Sequence, residues 1–103
     1  MQSDKTALRP IQFENNEIRI TDFYIISAIY SAGDTPKRIV KQDNKVIFIF
    51  NNSGAALGIA AAYIANGTYE INLRGFVNSA ANVRNIIFNK MKSENINENY
   101  TNK

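Results

Sequence analysis

The chain has 103 residues, 45% of them hydrophobic and 11% aromatic, which suits one domain with a buried core. It contains no cysteine and no histidine, which excludes disulfides, thiolate metal sites, thiol nucleophiles and the usual general base near neutral pH. Twelve Lys and Arg against nine Asp and Glu give a net charge of +3, too mild to define a partner by itself. No apolar run reaches the ~18 residues that span a bilayer, and the opening MQSDKTALRP lacks the apolar stretch of a secretory signal. The expectation is therefore a protein that is not secreted by a signal peptide and has no membrane partner. Fifteen asparagines, spread over the whole length, fit the nucleotide bias of an AT-rich genome.

Residues 1–16 are polar and lack a sustained period; Ile11 and Phe13 alternate with Gln12 and Glu14, which allows a short strand, and the better reading is an extended N-terminal arm anchored by those two side chains. The alternation in Glu17–Ile20 allows a short edge strand. The first helix is predicted from Thr21 as N-cap, with Asp22 in its first turn, to a stop at Gly33. Phe23, Ile25, Ile26, Ala28, Ile29, Tyr30 and Ala32 cover more than half its circumference, so it should be mostly buried.

Lys37–Gln42 and Lys45–Phe50 read as a β-hairpin across a two-residue Asp43-Asn44 turn, expected as type I′. That loop length sets Val40 against Ile47 and Ile39 against Phe48. Both faces of the hairpin then have apolar centres. Helices are expected on one face, and an added strand, the arm or a second subunit on the other. A second, buried helix is predicted over about Ser53–Ala65, stopped by Asn66-Gly67, with Gly54, Gly58 and Ala62 as a small-residue stripe. A third is predicted from near Asn72 to near Lys92, with Leu73, Phe76, Ala80, Val83, Ile87 and Met91 on its core face. Residues 93–103 read as a polar tail. The result is an α+β domain over residues 17–92, in the order α-β-β-α-α, with a short hairpin-centred antiparallel sheet and helices packed on one face. Ile25, Ile29, Ile39, Val46, Phe48, Leu57, Ile59, Phe76, Val83 and Ile87 are its expected core.

Thr21-Asp22-Phe23-Tyr24 opening a helix closed by Gly33, the strand Lys45–Phe50, the helix end Tyr63-Ile64-Ala65-Asn66-Gly67, and Phe76 with Arg84–Ile87 form an ordered set. In this the chain resembles a small uncharacterised domain family of low-GC bacteria, phages and mobile elements, over about residues 17–92. The resemblance implies a fold pattern and a genomic setting, and no activity.

No constellation for chemistry emerges. The nine acids do not form a pair at helical spacing within a confident helix, and no loop alternates oxygen ligands as a calcium site does. The serines have no base beside them in the sequence pattern, and Gly54–Gly58 lacks the lysine of a phosphate loop. The expectation is a non-enzymatic protein with no catalytic residues, metal or cofactor. A structural or interaction role, self-associating or docking with assembly neighbours of a virion type, rests on the two-faced hairpin and the arm. Its expected interface is Ile11, Phe13, Ile47 and Ile49. The alternative is a small basic nucleic-acid-binding protein using Lys37, Arg38, Lys41, Lys45 and Arg84.

Overall fold

The computed structural model describes the backbone of residues 10–101 and the side chains of residues 10–92. Two β-hairpins and three helices alternate along it: β1 (Ile11–Glu14), β2 (Glu17–Ile20), α1 (Phe23–Ser31), β3 (Arg38–Gln42), β4 (Lys45–Asn51), α2 (Gly54–Ile64) and α3 (Leu73–Thr101). The strands form one antiparallel sheet in the order β1-β2-β4-β3. The class is mixed α+β with helices on one face of the sheet, and the short strand allowed at Glu17–Ile20 is present but lies inside the sheet, with β1 as the edge.

The first hairpin takes in the end of the segment read as an arm. Asn15 and Asn16 both take positive φ, 52° and 65°, the backbone of a two-residue type I′ turn. Asparagine tolerates that region better than most residues, so a pair of them reverses the chain without glycine. Residues 1–9 of the arm lie outside the described residues. In the second hairpin the pairing is the expected one, Val40 against Ile47 and Ile39 against Phe48. Its turn differs: only Asp43 takes positive φ, at 58°, where a type I′ turn needs both residues to do so.

Helix ends are fixed by short local bonds. Asp22, not Thr21, caps α1, its Oδ1 accepting the Ile25 N–H at 2.9 Å. Thr21 is drawn off instead into the β1–β2 ladder, donating its N–H to the Pro10 carbonyl at 3.1 Å. Gly33, at φ 93°, closes α1, with the Gly33 N–H on the Tyr30 carbonyl and the Asp34 N–H on the Ile29 carbonyl. Asn66, at φ 58°, closes α2 in the same way. Asn72 starts α3, its Oδ1 accepting the Gly75 N–H at 2.7 Å. The helix then continues past Lys92 to Thr101.

One face of the sheet carries the core. Ile11, Ile18, Ile20, Val46, Phe48 and Phe50 pack with Ile25, Ile26 and Ile29 of α1, Ala56, Ile59 and Ala60 of α2, and Val83 of α3. Helix α1 is the centre of the helical layer, packed on α3 most extensively and also on α2. Five successive residues, Ile25 to Ile29, are buried, and Ser27 among them satisfies its hydroxyl by donating to the Phe23 carbonyl at 2.8 Å. Of the expected core, Ile39, Phe76 and Ile87 are only partly buried, and Leu57 is exposed.

Helix α2 departs from the buried helix that its composition suggested. Only Ala56, Ile59 and Ala60 are buried in it, because α1 and β4 are the elements that pack most on it among the described residues. Its small-residue stripe receives a side chain rather than a helix. The Tyr69 ring lies over Gly58, 3.0 Å from where a Cβ would stand.

Candidate functional site

Among the described residues no helix covers the second face of the sheet, and its centre is nevertheless dry. Ile49 is 0% exposed. Its cross-strand neighbours are Arg19 on β2 and Arg38 on β3, side chains of the kind whose alkyl stems cover apolar surface while the charged end stays in water. Glu17 ties the arrangement together across β4. Its carboxylate accepts from Arg38 at 3.0 Å and from Lys37 at 2.8 Å. Hydrogen bonds from Arg38 and Lys37 hold the Glu17 carboxyl at about 2, below its ordinary 4.5, and the hydrogen bond to Glu17 in turn raises Arg38. Arg19 pairs with Glu14 at 3.4 Å. The cover expected from another strand or subunit is supplied at Ile49 by this chain's own charged side chains, and Ile47 stays half-buried beside Val40.

The cations proposed for nucleic acid are divided by this geometry. Arg38 and Lys45 project on the helix-free face, and Lys37 and Arg38 are held by Glu17. Lys41 has the opposite parity, on the helical side of edge strand β3. Arg84 belongs to α3, where its guanidinium sits 5.3 Å from the Phe23 ring centre. The five do not form one patch.

The residues expected at an assembly interface are also split. Ile11 is buried in the core at 7% exposure, and Ile49 lies under its arginines. Phe13 shares a face with Ile11 but is 46% exposed at the sheet edge. Ile47 stands on the opposite face. Around Phe13 the structure assembles a site that the sequence did not single out. The last turn of α2 brings Tyr63 and Ile64, 54% and 60% exposed, to the flank of β1. With Pro10, Ile11, Gln12, Phe13 and Glu14 they line an open groove along the outer strand. Tyr63 also borders a second groove, between α1 and α2, with Tyr24 and Tyr69. The available signal was the end of α2 itself: Tyr63 and Ile64 are its only large side chains past Ile59.

Such a groove offers apolar contact, aromatic rings and the backbone of a strand edge. Among the described residues no group of three or more His, Cys, Asp or Glu is placed to hold a metal, and no helix is long and apolar enough to cross a membrane. No curated protein and no solved structure matches the chain significantly. Residues 15–89 match a family model described as a domain of unknown function (DUF5659), a span that runs from the β1–β2 turn through most of the described length of α3. Because that match takes in the sheet's three inner and outer strands β2, β4 and β3 and all three helices, the chain belongs to the DUF5659 family.

Proposed function

We propose that this protein is a non-enzymatic interaction module that self-associates within a larger assembly, with the groove along β1 as its contact surface. The observation that carries the reading is the exposure of Phe13, Tyr63 and Ile64 together beside an outer strand. Large apolar side chains gathered in one place on a small domain mark contact surfaces. The capture of Lys37 and Arg38 by Glu17 weighs against phosphate binding by the hairpin, since one carboxylate holds both side chains and cancels one of their two positive charges. A virion-type assembly of a phage or mobile element is the setting proposed for it; the asparagine-rich composition fits an AT-rich genome and no more.

Sedimentation equilibrium at micromolar concentration tests the reading. The wild-type chain is expected to associate, and Ile64→Glu to weaken association about tenfold or more by placing a charge in the contact. Because Ile64 is exposed, the variant should melt at the wild-type temperature. A wild-type chain that sediments as a monomer throughout rejects the proposal.

A further inference from the structure

The two outer strands of the sheet are not equivalent, and the difference identifies a partner. The Thr21 N–H bonds to the Pro10 carbonyl, and Pro10, Gln12 and Glu14 stand opposite Thr21, Arg19 and Glu17 in one register. Hydrogen-bonded pairs alternate along an antiparallel ladder. Pro10, Gln12 and Glu14 therefore turn their backbone groups toward β2, and Ile11 and Phe13 turn theirs outward. Among the described residues no strand meets them. Pro10 falls where its missing N–H would face inward, so the outer edge loses no donor.

Edge strand β3 is guarded. Arg38 and Lys41 lie in it and Lys37 just before it; pairing it with itself about Ile39 would set Lys37 against Lys41 of the other copy, and pairing it about Val40 would set the Lys41 charge against Ile39. Edge strand β1 reads Ile-Gln-Phe-Glu and has no cation. Turned antiparallel against itself about Gln12, it is self-complementary at every position. Ile11 meets Phe13 of the second copy, twice, and these are the residues with outward N–H and C=O groups. Gln12 meets Gln12, an amide that can both donate to and accept from its equal. Glu14 meets Pro10, so no like charges face each other. Gln12 projects on the helix-free face, and Ile11 and Phe13 on the helical face. Both copies then keep their helices on the same side, and the two grooves lined by Phe13, Tyr63 and Ile64 adjoin across the axis.

We propose that a second copy of this chain pairs antiparallel along β1, about a two-fold axis through Gln12, joining the two sheets into one continuous sheet. The inference rests on the self-association proposed above and specifies its geometry. It adds main-chain bonds to the apolar contact, which is how strand addition gains both affinity and register.

The absence of cysteine makes a direct test available. A pair without hydrogen bonds between it brings Cα atoms to about 4.5 Å, inside the range of about 4.4–6.8 Å that a disulfide spans. Gln12→Cys replaces an exposed side chain and should leave the fold intact. Left without reductant at micromolar concentration, most of it should become a disulfide-linked dimer. Gln42→Cys, exposed on the same face at the other edge, should stay largely a free thiol. Amide exchange on the unmodified chain gives a second readout: the Ile11 and Phe13 N–H groups should gain protection as concentration rises. If the wild type dimerises by sedimentation but Gln12→Cys stays reduced and those amides stay unprotected, strand pairing is overturned and self-association stands. If the wild type is a monomer throughout, both fall, and the edge is left for a strand of another protein or for this chain's own first nine residues.

Discussion

Asp34 joins two helix ends that are far apart in the sequence. Its N–H closes α1 by bonding to the Ile29 carbonyl at 3.2 Å. Its Oδ2 accepts the Ala56 N–H at 3.0 Å in the first turn of α2, where Ser53, the residue at the cap position, makes no side-chain bond. One aspartate thus does for α2 what a local cap does for other helices. Asp34→Ala should cost about 1 kcal/mol in chemical denaturation, with Asp34→Asn losing less because it keeps an acceptor. Local sequence reading looks for caps next to the helix they serve, so Asp34 was not legible as one. Glu17 works at the same scale on the other side of the sheet. Its carboxyl sits at about 2 in the folded chain against an ordinary 4.5, so its ion pairs contribute stability in full above pH 4.5. That contribution is lost as pH falls from 4.5 toward 2. Urea midpoints measured at steps across this window should fall less steeply for Glu17→Gln than for the wild type. Equal slopes would show that the Glu17 pairs do not persist in solution.

Among the elements, those with a long or strict pattern were legible, and those built from four residues were legible only as short strands that the alternation allowed. The β3–β4 register followed from loop length and alternation, and α1 and α3 followed from their apolar stripes. The β1–β2 hairpin carries the same information in its Asn15-Asn16 turn, but each strand is too short for alternation to stand out from chance. Helix α2 misled for a different reason. It has no charge, so nothing in its composition marks the side that Tyr63 and Ile64 leave open. The structure makes β1 a working part of the domain, because Ile11 is buried against the core and its strand pairs with β2. Deleting residues 1–16 should therefore lower stability by about 2 kcal/mol or more, the worth of one buried isoleucine before the lost ladder is added. A truncated chain with an unchanged melting temperature would return that segment to the status of an arm.

Across the whole molecule the layers are unequal: three helices on one face of the sheet, and a lattice of Arg19, Arg38, Lys37 and two glutamates on the other. The sequence showed that Ile49 needed cover and could not show that arginines supply it, since a pattern of polar and apolar letters counts an arginine as wholly polar. The place of α1 in this arrangement has a consequence in time. Both hairpins are local and can close within microseconds on their own. The sheet becomes one sheet only when β2 meets β4, and α1 is the chain between β2 and the second hairpin. Joining the hairpins therefore closes a loop that contains the helix on which α2 and α3 both rest. Seating α1 over the two hairpins is then the expected rate-limiting step of folding. Ile26→Val, which trims a fully buried α1 side chain by one methyl group, should slow refolding more than it speeds unfolding. The opposite partition in stopped-flow traces would mean that the sheet closes first and the helix settles onto it afterwards.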